Sequence, residues 1–392
     1  TAPAAPEAAQ EREKILPYTI HQKELENGLN VVTVPYESGG LASFYIVVRV
    51  GSREEVEEGK TGFAHFFEHM MFRGTDLYPK EKYGAALKST GAGANANTWL
   101  DRTVYHMTGN ADELDLMFEL EADRFQNLKY SVGDFKVEAG AVKGEYTKNY
   151  ASQFRQINEA IVDAAFDEHT YKHTTMGFFE DIVEMPNQYD YSLVFYDRFY
   201  RPEYSTIIVV GDVVPGEVNA LAEEYFGDWE RGNYQPEIPV EPEQTATRYA
   251  HIQNESFIPY VSLGYKSPAF SDNEIDAATM EVISNIAFSQ RSDLYKKLVV
   301  DEQVALQLWS SFFGTRDPFL FEVAAMAKEE KDLPYIKNAM VDAIKELQTT
   351  PVDAQLLADT KARIVNSFSM SVDNPEDIAE SLSYFTWLTG DP

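Results

Sequence analysis

Between Thr61 and Gly74 the chain reads T-G-F-A-H-F-F-E-H-M-M-F-R-G, so His65, Glu68 and His69 stand in an otherwise apolar stretch. On a helix at about 100° per residue, with His65 at zero, Glu68 falls near −60° and His69 near +40°. Phe63, Phe66, Phe67 and Met70 then cluster between about 100° and 200°, on the opposite side. One face can enter a core while the other presents two imidazoles with a carboxylate between them. Two histidines four apart can both reach one Zn²⁺ at about 2.0–2.1 Å. A glutamate beside the second histidine is placed to take a proton from a water in the same site. The pattern also suits a core helix with a polar edge, and a third ligand is what separates the two readings.

Composition limits where that ligand can come from. The 392 residues include seven histidines, 64 Asp+Glu and no cysteine. Disulfides, thiolate metal sites, iron–sulfur clusters and a cysteine nucleophile are thereby excluded, and any metal falls to His and carboxylate. The formal net charge of −31 argues against wrapping nucleic acid or lying on an anionic membrane, both of which need clustered cations. A hydrophobic fraction of 44% with 13% aromatics belongs to a globular chain rather than a disordered acidic one. No stretch approaches the roughly 18 apolar residues of a membrane span. The first ten residues, TAPAAPEAAQ, are Ala/Pro-rich without an apolar core. They read as the loose start of a mature exported chain, which together with the missing cysteines predicts a bacterial periplasmic or otherwise exported protein.

The elements that must position these residues follow from periodicity. A turn at Gly28-Leu29-Asn30 leads into strand patterns at VVTV and at Phe44–Val48. Helix is predicted over about Thr61–Arg73 and Lys80–Thr90, followed by a Gly/Ala/Asn-rich turn and a strand over Thr98–Thr108. Long helical patterns fill Ala111–Asn127 and Val132–Phe166, and then come a helix at Tyr189–Tyr196, a strand at Ser205–Val210 and a helix at Pro215–Tyr225. Strands and helices mix without strict alternation, which predicts α+β with a largely antiparallel sheet. The proline-bearing stretch NYQPEIPVEPEQT marks a linker. The expected organisation is a flexible segment over 1–16, a first domain over 17–231, a linker over 232–246 and a second domain over 247–392. The second domain repeats the first: strand at Tyr260–Gly264, helices over Asn273–Phe288 and Arg291–Val299, strands near Val304–Trp309 and over Phe319–Ala327. The helix, STIIVV strand and helix that close the first domain have no counterpart before Pro392, so the second copy is expected to be truncated.

H-x-x-E-H is the inverted zinc motif, and the chain resembles the pitrilysin/insulysin and mitochondrial-processing-peptidase family of zinc peptidases, as a bacterial member of the shorter two-domain type. In that family a helix about 75–80 residues downstream supplies a glutamate ligand, preceded seven residues earlier by another glutamate. Glu145 lies 76 residues after His69 and Glu138 seven before Glu145 (145 − 69 and 145 − 138). Two turns of helix bring both carboxylates to within about 20° of one face. The resemblance implies Glu145 as third ligand and Glu138 as the carboxylate that orients a ligand histidine, a role whose loss typically costs about 10–100-fold in affinity or activity. Gly140 and Gly144 depart from the family pattern, and each weakens a helix by about 1 kcal/mol. The run from Gly93 to Tyr105 resembles the family's N-A-x-T-x-x-[DE]-x-T-x-Y turn and edge strand, which implies substrate pairing along Asn95, Ala96, Asn97 and Thr98. His169 and His173 are also four apart, but Asp167–Gly177 resembles the family's H-P-Y-x-x-P-x-x-G loop, and both are read as structural.

The implied activity is a zinc metalloendopeptidase. His65, His69 and Glu145 would hold one Zn²⁺ per chain, and Glu68 would act as general base and acid. Peptides or unfolded segments would be cleaved inside a closed chamber. One departure bears on partners. Active relatives carry an Arg and, seven residues later, a Tyr near the zinc, and those positions here are Val299 and Leu306. The expectation is a heterodimer with a related zinc-less subunit that supplies the pair, a homodimer being the other form. The competing reading is a catalytically silent peptide-binding or scaffold subunit.

Overall fold

Three Val/Ile-rich runs supply the central strands of a six-stranded sheet in the computed structural model, which describes residues 16–392. The flexible segment expected at 1–16 lies, but for its last residue, outside the described residues. The strands are β1 (His21–Glu24), β2 (Asn30–Pro35), β3 (Leu41–Val48), β4 (Gly93–Thr98), β5 (Thr103–Asn110) and β6 (Ser205–Gly211), in the order β1-β2-β6-β3-β5-β4. Only the β2–β6 pairing is parallel. The period-2 rule divides β3 between two cores. Phe44, Ile46 and Val48 join one apolar cluster, while Tyr45 and Val47 join another on the opposite face.

The first face is covered by helices α1 (Phe63–Met70), α2 (Lys80–Ser89), α3 (Leu114–Asn127), α4 (Val132–Tyr150), α6 (Phe179–Glu184), α7 (Tyr189–Phe199) and α8 (Pro215–Phe226), while α5 (Gln153–Ala165) packs Val162 into a separate cluster with Leu100, Tyr171 and Phe319. The single helix expected over Val132–Phe166 is two. Ser152 is extended (φ −76°, ψ 131°) and starts α5 as the residue type that favours helix N-termini. The Gly/Ala/Asn-rich stretch expected as a turn is β4 itself, paired from Gly93↔Thr108 to Thr98↔Thr103. The turn is Trp99–Arg102, closed by Trp99 N–H donating to Arg102 O at 2.8 Å. Pairing with β5 here overrides the low strand propensity of Gly, Ala and Asn.

Residues 232–259 form no helix or strand. They run along α5, where the Glu241 carboxylate accepts from the backbone N–H of Asp167, Glu168 and His169 at 2.9–3.1 Å. The second sheet contains β7 (Tyr260–Ser267), β8 (Ala305–Phe312) and β9 (Phe319–Ala327) in the order β7-β9-β8, all antiparallel. Its connectivity repeats β3-β5-β4 of the first sheet. Helices α9 (Asp276–Ile283), α10 (Asp293–Tyr295), α11 (Leu333–Thr349), α12 (Ala354–Ser371) and α13 (Pro375–Thr389) complete the chain. The helices expected over Asn273–Phe288 and Arg291–Val299 both widen into π-helical turns, at Ser284–Phe288 and Lys296–Asp301. Ile378, Leu382 and Trp387 of α13 lie in the cluster behind the first sheet, against Tyr45, Val47 and Ile208. The last helix of the second half is thus packed on the first. Among the described residues, no helix is long and apolar enough to cross a membrane.

Candidate metal centre

Helix α1 begins where only glycine fits. Gly62 has φ +89°, and a Cβ there would meet Ile182 Cδ1 at 2.4 Å. With no side-chain cap available from Gly62, the buried Glu55 carboxylate accepts from the Gly62 and Ala64 amides at 2.8 and 2.7 Å. Phe63, Phe66, Phe67 and Met70 are all buried in the first core, which fixes the rotation of α1 and turns His65, Glu68 and His69 to the other side. Helix α4 starts with a Ser131–Asp134 capping box and packs on α1.

Glu145 on α4 faces both histidines of α1. Its Oε2 lies 3.7 Å from His65 Nε2 and 3.3 Å from His69 Nε2, and one ligand atom from each of the three residues falls within 4.8 Å of the others. Glu138, two turns back, bonds His69 Nδ1 at 2.9 Å through Oε1, and its other oxygen accepts from Arg73. Arg73 was not among the expected site residues; the helix expected over Thr61–Arg73 ends at Met70, and Arg73 reaches Glu138 from the turn that follows, so only its place four residues after His69 hints at it.

These contacts test whether a metal fits. With Nδ1–H of His69 donating to Glu138, Nε2 carries a lone pair toward a carboxylate oxygen at 3.3 Å. In that tautomer two acceptors face each other, an arrangement made favourable by a cation between them, whether a metal ion or the proton of an imidazolium. Ligand atoms on a tetrahedral ion at about 2.0–2.1 Å lie roughly 3.3–3.4 Å apart, so the donor set and its spacing suit Zn²⁺. The His69 pKa is raised, chiefly by the Glu138 hydrogen bond, so the surrounding carboxylates favour positive charge at this position. Burial, and then the neighbouring His69, lower His65 to about 4, leaving it in the neutral form that binds metal. For Glu138, burial is outweighed by the hydrogen bonds from His69 and Arg73, and its pKa is lowered.

Glu68 is half-buried, and Thr98 Oγ1 donates to its Oε2 at 2.6 Å. Burial raises its pKa against that bond, toward the range where a general base works best. Thr98 ends β4, whose outer edge pairs with no other strand among the described residues. Asn95, Ala96 and Asn97 lie on the same edge strand, and Asn97 O accepts from Arg102 Nη1 at 3.2 Å. The link from Thr98 to Glu68 could not be read from sequence, because thirty residues separate the two and only the sheet brings them together.

In the second half, Val299 packs on the apolar cluster of the second sheet and Leu306 is 48% exposed. Neither side chain can donate a hydrogen bond. His169 Nε2 meets Asp317 at 3.1 Å, and His173 Nδ1 meets Thr174 O at 3.0 Å. Among the described residues only His65, His69 and Glu145 gather as a metal-holding group.

Residues 31–177 match the family described as insulinase (peptidase family M16), and residues 189–364 match the peptidase M16 inactive domain. The zinc protease PqqE of Helicobacter pylori is 27% identical over 363 residues, which are 91% of this chain and 80% of that one. An uncharacterized zinc protease of Mycobacterium leprae is 31% identical over 205 residues, 52% of this chain and 45% of that one. The crystal structure of a protease from Helicobacter pylori superposes with a TM-score of 0.88 at 25% identity, covering 95% of this chain and 90% of that one. With both halves matched in order by one family and the fold shared throughout, the chain belongs to the M16 family, the pitrilysin/insulinase group of peptidases.

Proposed function

We propose that the protein is a zinc-dependent endopeptidase acting on peptides or unfolded segments. The observation that carries this reading is the convergence of His65, His69 and Glu145, with Glu68 beside them on α1. His65, His69 and Glu145 would hold Zn²⁺, which would supply Lewis acidity for lowering the pKa of a water and polarising the scissile carbonyl. Glu68 accepts the water's proton at its carboxylate and delivers it to the departing amine, and Thr98 holds that carboxylate in place. Glu138 and Arg73 hold His69 in the tautomer that leaves Nε2 free. The free edge of β4 can pair with an extended peptide through backbone hydrogen bonds, which gives binding with little dependence on sequence.

A partner subunit is part of the proposal because Val299 and Leu306 offer no donor to a substrate carbonyl. A related zinc-less chain with Arg and Tyr at those positions would complete the site and close the chamber. The same observation favours the second reading, a silent peptide-binding subunit, if no such partner is used.

The experiment is zinc analysis together with cleavage of a quenched peptide by the chain alone and with a candidate partner. One zinc per chain is expected. Glu68→Gln should keep the zinc and lose about 10²–10⁴-fold in kcat. Unchanged turnover in Glu68→Gln overturns the mechanism. Full activity of the chain alone overturns the partner, and no hydrolysis under any pairing supports the silent reading.

A further inference from the structure

The two halves meet tip to tip. The β4–β5 turn, Trp99–Arg102, and the β8–β9 loop, residues 313–318, occupy equivalent places in the repeated strand order, and each carries an aspartate two residues ahead of its strand, Asp101 before β5 and Asp317 before β9. The Tyr171 hydroxyl sits between them, donating to Asp101 Oδ1 at 2.6 Å and accepting from the Asp317 amide at 3.3 Å. The Arg316 amide donates to Asp101 Oδ2 at 3.0 Å, and its guanidinium reaches Glu54 at 2.8 Å. Asp317 itself accepts from Arg53 Nε at 2.6 Å.

These contacts close on the backbone of the first tip. The Arg53 amide donates to Leu100 O at 2.7 Å. Gly51 lies so close that a Cβ there would meet Trp99 O at 2.3 Å and Leu100 O at 2.4 Å. Asp101 is fully buried with both carboxylate oxygens occupied. Trp99 packs edge-on against Phe313 of the other tip, ring centroids 5.4 Å apart. One residue before Trp99 stands Thr98, the donor to Glu68.

We propose that Arg316 and Asp317, supplied by the half that lacks metal ligands, are positioning residues for the edge strand β4 and, through Thr98, for Glu68. The proposal rests on the peptidase reading above. The second half then does more than enclose substrate: its loop fixes the turn from which the substrate strand starts, and withdrawing that loop lets β4 and the Thr98 hydroxyl drift from Glu68. A misplacement of about 1 Å at such a site can cost about 10²-fold in rate.

The test uses the full chain carrying Arg316→Ala or Asp317→Ala, each also combined with Thr98→Val. Each single variant is expected to lower kcat for a quenched peptide by about 10–100-fold with KM moved less. Thr98→Val should cost less in those backgrounds than in the wild type, because residues acting through one contact are not additive. Arg316→Lys, which keeps a cation for Glu54, should restore most of the rate. In metal-free chains, amide exchange over residues 93–103 should rise in both alanine variants while α1 and α4 stay protected, and the Co²⁺ spectrum of the substituted centre should be retained. Additive losses, or unchanged exchange over 93–103, overturn the proposal. So does loss of the Co²⁺ centre, since the contact would then hold up the whole unit rather than one strand. A wild-type chain that binds no zinc or cleaves nothing with any partner defeats the peptidase reading instead. The exchange measurement needs no turnover, so the two failures are told apart.

Discussion

His69 shows how much chemistry one side chain can carry when each ring nitrogen has a fixed partner. Glu138 settles the tautomer, Arg73 holds Glu138, and Nε2 is left facing Glu145. His173 illustrates the opposite use of an imidazole. It is buried near Glu55, and burial lowers its pKa to about 4 from an ordinary value near 6.5. Below about pH 6.5 the unfolded chain takes up a proton that the folded chain refuses, so this contribution is complete above that pH and is lost as pH falls toward 4. The span corresponds to about 3 kcal/mol. Urea titrations of metal-free wild type and His173→Gln at pH 7 and 4.5 check this. The variant should lose about 2–3 kcal/mol less than the wild type over that interval, and equal losses would remove His173 from the acid response.

At the scale of elements, α4 must hold Glu138 and Glu145 on one face across two turns while carrying Gly140 and Gly144. Both glycines are exposed, and a Cβ at either would meet nothing within 4 Å. No close approach requires them, so each leaves the helix weaker by about 1 kcal/mol than alanine would. Gly144→Ala should therefore raise stability by about that amount with zinc content unchanged, read as the urea midpoint and metal stoichiometry. A drop in either would mean that the glycine serves the adjacent ligand. The α1 pattern and the seven-residue spacing on α4 were legible in the sequence because helical periodicity is local. The break at Ser152 and the strand character of β4 were not, because a long-range partner decides each of them.

For the whole molecule, the placement of α13 matters most. It follows the second sheet in sequence yet lies against the back of the first, where Leu382 is 2% exposed beside Val47 and Ile208. Undocking α13 therefore uncovers the back of the first sheet. Leu382→Ala should cost about 2–5 kcal/mol, with amide exchange rising in β3 and β6 rather than in β7–β9. Exchange changes confined to the second sheet would show that the two halves are energetically separate. Buried acids such as Glu55, Asp101 and Glu138 have internal hydrogen-bond partners, while many of the other Asp and Glu behind the net charge of −31 are exposed.

The sequence by itself determined the ligand types and their local spacing. The absence of cysteine left only imidazole and carboxylate, and 3.6 residues per turn put His65 and His69 on one face and Glu138 and Glu145 on another. It also determined the mixed fold class and the repeated succession of strands and helices along the chain, since strand and helix periods differ. What only the tertiary structure decided is which faces meet. The meeting of α1 with α4, the reach of Thr98 to Glu68, and the contact of the two hairpin tips each join residues far apart in the chain. Such contacts are set by the burial of Phe66, Leu100 and Phe319 in shared cores, and no periodicity along a single chain records them.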